Sequence, residues 1–483
     1  MKRNITFILC MILALQTISC GADTTVPDET VSTQAAEEVQ ETEPAFRGVT
    51  KADMNGRNFT AYTEGWYDYA PLAIDDIVVE ELTGDSLNDA VYDRNMLIET
   101  DLNCKVVHAS FPDTNHLNEL ANSIAAGDNA YDFCLIRGFN FLTSVTSGYL
   151  LDMADLPGVD YSQPYWNQTV MNIMSIVGKQ YGAPSGVTVN DEKSVCCMYF
   201  NKEMASDYSL PNLYTLVNDG DWTYSRMFEM AELAAADLNG DGKYTHEDQY
   251  GISHIRDSVS GILASAEIMI AQKDENDLPY YAFPTEQNIT RYLDIFSKLF
   301  EQDICYNYHQ RLGAETEQTM FVEEQILFCM GGIYYAPSMR VMDCEFGILP
   351  FPKYDENQNT YTSTMDPGFM TLTCIPVSNS SLEETGIFLE YYAWLGHSMI
   401  LPAFYDVLLT GKIVRDEESV RMLDLIFDSL IQDMGGTFNF GGFHRELLMV
   451  CDRYTLDIAS LSASYQQKVE TDIQKLIDAL KES

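Results

Sequence analysis

Phe59-Thr60-Ala61-Tyr62, Cys104-Lys105-Val106-Val107-His108 and Tyr131-Asp132-Phe133-Cys134-Leu135-Ile136 are three short apolar runs, and what lies between them decides the fold. Residues 90–102 carry Val91, Met96, Leu97 and Leu102, and residues 116–126 carry Leu117, Leu120 and Ile124, both at helical spacing. The order strand, helix, strand, helix, strand predicts a parallel α/β sheet. Ligands of such sheets bind beyond the carboxyl ends of the strands. The residues just past the runs, Glu64, Trp66 and Tyr67 after the first and Arg137 and Phe139 after the third, are therefore the first site candidates.

The 483 residues exceed one hydrophobic core and predict more than one domain. A second α/β region opens at residues 194–200, and a helix is expected after Asp221-Trp222-Thr223, with Thr223 as its cap. The C-terminal third reads as helices over 382–401, 417–434 and 445–480, interrupted by the glycine-rich segment 435–442. Lys and Arg number 28 against 73 Asp and Glu, a net charge of -45 that repels phosphate backbones and excludes a nucleic-acid partner.

At the N-terminus, Lys2-Arg3 and an apolar stretch over 5–18 form a signal peptide that ends at Ser19. Thr17-Ile18-Ser19-Cys20-Gly21 resembles a bacterial lipobox, which makes Cys20 the lipidation site and 20–44 a solvated tether. The expected location is the outer face of the cell membrane, reached through the lipid only. Subtracting Cys10 and Cys20 from 11 cysteines leaves nine, an odd number that fits buried free thiols better than a disulfide framework.

Asp89-Ala90-Val91-Tyr92-Asp93-Arg94-Asn95, Gly148-Tyr149-Leu150-Leu151-Asp152, Tyr199-Phe200-Asn201-Lys202, Phe346-Gly347-Ile348-Leu349-Pro350 and Cys374-Ile375-Pro376, in this order and spacing, resemble the family 1 extracellular solute-binding proteins. That resemblance implies an α/β, two-lobed, periplasmic-binding-protein-like fold with a hinge and an interlobe cleft. Mapped onto this chain, it assigns 45–183 plus 319–362 to one lobe and 184–318 plus 363–483 to the other. It further implies a monomer that captures a carbohydrate and hands it to the transmembrane subunits of an ABC permease. Sugars present apolar C–H faces and hydroxyls, which rings and planar polar groups match. The loops matching the cleft place Glu64, Trp66, Tyr67, Arg137, Tyr334, Tyr335, Asp366 and Phe440 at the ligand.

Residues 237–248 have the spacing of an EF-hand loop: Asp237, Asn239 and Asp241 at positions 1, 3 and 5, Gly242 at 6, the Lys243 carbonyl at 7 and Asp248 at 12. Calcium is the cofactor this spacing implies, and Asp in place of Glu at position 12 weakens it. The seven histidines contain no zinc pair, and there is no Gly-x-Ser-x-Gly elbow and no P-loop, so the chain reads as a non-enzyme. A secreted glycoside-active enzyme, needing only two placed carboxylates, and a surface adhesin or structural lipoprotein stay open as alternatives.

Overall fold

Strand β1 (Arg57–Glu64) lies between β2 (Cys104–Phe111) and β3 (Phe133–Arg137), parallel to both, with Phe59 opposite Val106 and Ala61 opposite Phe133. The computed structural model describes residues 52–64, 74–111, 117–307, 316–409 and 417–482. Cys20, the tether, Trp66 and Tyr67 lie outside them. The helix Ser86–Leu102 joins β1 to β2, starting where Asp85 accepts the N–H groups of Leu87 and Asn88. It ends at Asn103, whose φ of 49° turns the chain back into β2. On this helix Arg94 is fully buried, donating to the carbonyls of Asp76, Ile77 and Val187 with its guanidinium 4.1 Å from the Tyr392 ring.

The second sheet has β4 (Cys196–Asn201) antiparallel to both neighbours, β7 (Ile326–Gly332) and β8 (Phe346–Leu349). Beyond β7 come β5 (Tyr250–Ser253) and β6 (Cys305–Tyr306), both parallel to it or to one another. Thr223 caps the helix Tyr224–Ala234 as expected, and the buried Trp222 beside it donates Nε1–H to the Pro350 carbonyl at 3.0 Å.

The strands correct the expected lobe boundaries. β7 and β8, inside 319–362, belong to the second sheet, and β9 (Thr371–Cys374) closes the first sheet antiparallel to β3. The helix Leu382–Leu395 also joins the first lobe, stacking Phe388 on Phe59 at 4.2 Å. The reason is the path of the crossings. The chain leaves the first sheet through 184–195 and returns through 365–370, and the bridges Ala183 to Thr373 and Val195 to Met365 zip the two passes antiparallel. A segment that enters β4 and leaves after β8 completes the second sheet before it goes back.

The first crossing is held where two glycines touch. A Cβ on Gly396 would sit 1.7 Å from the Gly186 carbonyl oxygen, and one on Gly186 would sit 2.3 Å from that of Ala393. No larger residue fits at either place. All nine cysteines from Cys104 onward are free and buried, and no helix among the described residues is long and apolar enough to cross a membrane.

Candidate functional site

Glu64 and Arg137 end adjacent parallel strands, so both sit at the carboxyl edge of the first sheet, and both are buried. Asn140, one turn into the helix Gly138–Thr146 that follows β3, donates to Glu64 Oε2 at 2.7 Å. The start of this helix reaches the second lobe. A Cβ on Gly138 would meet the Pro367 carbonyl oxygen at 2.4 Å, so only glycine lets the return crossing pass this close.

Asp366 stands at the centre of that contact. Its carboxylate accepts Ser260 Oγ–H and the Gly368 N–H, each at 2.7 Å, and its own N–H donates to the Ser194 carbonyl on the other crossing. Burial pushes its carboxyl up to about 6 against these hydrogen bonds. Ser260 Oγ also lies 3.2 Å from His444 Nε2, and burial alone holds that imidazole down at about 4. Phe139 packs edge-on to His444 at 5.5 Å, with the Arg445 guanidinium over its ring. The seam between the lobes therefore runs through Phe139, His444, Ser260 and Asp366.

Tyr334 meets Phe369 of the return crossing at 5.6 Å and Tyr335 at 4.8 Å, and the Tyr335 hydroxyl donates to Glu317 Oε1 at 2.6 Å. Asp257, at the start of the helix Ser258–Ser265 that carries Ser260, is partly buried. Burial first, then the charges of Asp366 and Glu317, push it up to about 8, opposed by Arg256. Among the described residues its carboxylate has no hydrogen-bond or ion-pair partner. His444 Nδ1, Asn190 Oδ1 and Asp191 Oδ2 are buried and likewise unpartnered. Natural interiors rarely leave such atoms bare, so each marks a place for a polar guest or a water.

The structure thus gathers Asp366, Tyr334 and Tyr335 near the seam and sets Glu64 and Arg137 on the strand edge. Phe440 is fully buried and stacks on Phe438 at 5.3 Å, which in turn packs on Phe141 at 5.2 Å. Its glycine-rich surroundings turn the chain at Asn439 and Gly441 and bury the ring in the core. Asn140, Asn190, Asp257, Ser260 and His444 were missed. They come from four distant segments, Asp257 and Ser260 sharing one helix, and only the crossing of the chain makes those segments neighbours.

In the loop 237–248 the acidic and amide side chains hold the backbone turns. Asp237 accepts the N–H of Gly240 at 2.7 Å and of Gly242 at 2.8 Å, Asn239 that of Asp241, and Asp241 that of Lys243. Asp248 is buried, with Oδ1 accepting from Leu238 N–H and Oδ2 from both the N–H and the hydroxyl of Thr245. One lone pair remains on Oδ1, which suits monodentate closure rather than the usual bidentate one. The loop carboxylates do not converge to within 4.8 Å, so an ion would have to draw them inward. The donors fit a weak calcium site.

No family model matches the sequence, and no curated protein matches it either. Solved structures do match in fold. An ABC substrate-binding protein from Listeria monocytogenes, in complex with cycloalternan, aligns at a TM-score of 0.55 and 12% identity over 88% of this chain and 99% of that one. The galacto-N-biose-/lacto-N-biose I-binding protein of the ABC transporter from Bifidobacterium longum, in complex with lacto-N-biose, aligns at 0.56 and 12% over 88% and 98%. A maltose/maltodextrin-binding domain from Bdellovibrio bacteriovorus, bound to maltotriose, aligns at 0.54 and 11% over 87% and 100%. At these identities the likeness speaks for architecture, and it spans nearly the whole of each relative. The chain has the two-lobed fold of the ABC solute-binding proteins.

Proposed function

We infer that this protein captures a carbohydrate between its lobes and delivers it to the permease of an ABC importer. The observation that carries the reading is the set of open hydrogen-bonding valences at the seam, His444 Nδ1 and Asn190 Oδ1, with the partly buried Asp257 carboxyl, beside the rings of Phe139, Tyr334 and Phe369. Sugar hydroxyls satisfy such groups while rings cover the C–H faces. A ligand that bridges both lobes stabilises the closed state by its differential affinity, and that state is what a permease distinguishes. The reading includes a lipid on Cys20 that holds the protein at the outside of the membrane, and a weakly held calcium in the loop 237–248.

Calorimetric titration of the purified protein with maltotetraose, cycloalternan and lacto-N-biose tests it. Saturable binding of at least one is expected, weakened about tenfold by Asp257→Ala, since an unpaired partner costs roughly 1 to 3 kcal/mol. Absence of binding to the whole panel would count against the carbohydrate reading. The paired carboxyls Asp257 and Asp366, both held above their usual range, favour a second reading as a glycoside-active enzyme. Prolonged incubation separates the two: a binding protein returns the sugar unchanged, and a hydrolase releases shorter products.

A further inference from the structure

Outside the seam, the second sheet brings one thiol and two carboxylates to a single edge. β4 runs antiparallel to β7 and β8, with Asn201 opposite Phe346 and Phe200 opposite Phe328, so the end of β4 lies beside the starts of both neighbours. Glu203 follows β4 in the first turn of the helix Lys202–Asp207, Glu324 precedes β7, and Cys344 precedes β8. One ligand atom from each lies within 4.8 Å of the other two, and among the described residues no other three His, Cys, Asp or Glu side chains converge this way.

The frame beneath these donors is fixed. The Cys344 N–H donates to Glu324 Oε1 at 3.1 Å, and the Lys202 N–H donates to the Glu345 carbonyl at 3.0 Å, which ties the three segments together next to the sheet. Cys344 is buried, Glu324 half-buried and Glu203 exposed, so the cluster has a closed floor and one side open to water. The bond from the Cys344 N–H holds Glu324 in place beside Cys344, while the exposed Glu203 side chain can move toward both.

We propose that Glu203, Glu324 and Cys344 form a binding site for a thiophilic divalent cation of the zinc class. Zinc takes thiolate sulfur at about 2.3 Å and carboxylate oxygen at about 2.0 to 2.2 Å in a tetrahedron, which puts ligand atoms about 3.3 to 3.7 Å apart. Closing from a spacing below 4.8 Å takes at most about 1.5 Å, within the swing of the exposed Glu203 side chain. The fourth position goes to water. A soft sulfur in the set disfavours calcium and magnesium, which take all-oxygen shells. Binding replaces the Cys344 S–H bond by a sulfur–metal bond and releases the thiol proton to solvent.

Cadmium titration of the chelator-treated full chain, with Cys10→Ala and Cys20→Ala removing the two outlying thiols and excess calcium filling the loop 237–248, reads the site through the ultraviolet charge-transfer band of a cadmium–thiolate bond. One equivalent of band is expected, reversed by competing zinc. Cys344→Ser should abolish it. Glu203→Gln, at an exposed position that leaves the fold intact by circular dichroism, should weaken cadmium binding at least tenfold. Absence of a band, its persistence in Cys344→Ser, or unchanged affinity in Glu203→Gln would each overturn the proposal.

Discussion

Asp257 shows how much a single residue reveals once its neighbours are known. In an unfolded chain its carboxyl titrates near ~3.9, whereas in the fold it is pushed up to about 8 by burial and by Asp366 and Glu317. The native state therefore holds a proton that the unfolded state gives up. By linkage, this contribution to stability is full below the unfolded value and is lost as pH rises toward about 8. Asp257→Asn, which cannot ionise, should flatten that limb: the variant gains on the wild type steadily from pH 5 to 8 and differs little at pH 4. Urea denaturation across that range measures it, and parallel curves would show that Asp257 ionises as freely as in solution. Asp366, pushed up to about 6, adds a slope of the same sign over a narrower window.

Elements fix where these residues stand, and two of them make predictions of their own. The contact of Gly186 with Gly396 packs the first crossing onto the helical run that follows β9, and a methyl group on Gly396 would overlap the Gly186 carbonyl. Overpacking of this kind costs about 1 to 3 kcal/mol or more. Gly396→Ala should lower the denaturation midpoint by that much, and an unchanged midpoint would mean the crossing yields freely. The loop 237–248 gives the second prediction. If calcium binds the folded loop alone, an ion concentration one hundred times its dissociation constant adds roughly 2.7 kcal/mol. Chelator should then lower the melting temperature of the wild type and leave that of Asp241→Ala unmoved. An equal response in both proteins would empty the loop of its ion.

At the scale of the whole molecule, 73 acidic residues against 28 basic ones surround a seam whose own carboxyls resist ionisation. A neutral guest crosses such a field without the penalty an anion meets. A lipid on Cys20 is the part of the proposed function that would place the whole protein. Cys20→Ala should shift it from the membrane fraction to the medium or leave an uncleaved precursor, as cell fractionation and mass spectrometry would show. A processed variant that stays on the membrane would require another anchor.

The sequence by itself determined the periodic part of this protein. Phe59, Val106 and Phe133 announced three strands because alternation and β-branching are local, and Thr223 announced a helix start because capping needs only a few neighbouring residues. Glu64 and Arg137 were legible as strand-end residues for the same reason. Resemblance in motif order supplied the two lobes, and it misplaced 319–362, since sheet membership depends on which strand lies alongside β4 and not on position along the chain. The tertiary structure alone decided the site. Asp257 and Ser260 share one helix, but Asp366 and His444 come from two distant segments with no spacing that links them to it, and Phe440 went to the core by stacking on Phe438. Hydrogen bonds and desolvation act through space, so the unpartnered atoms that mark the seam exist only once the crossings have brought those segments together.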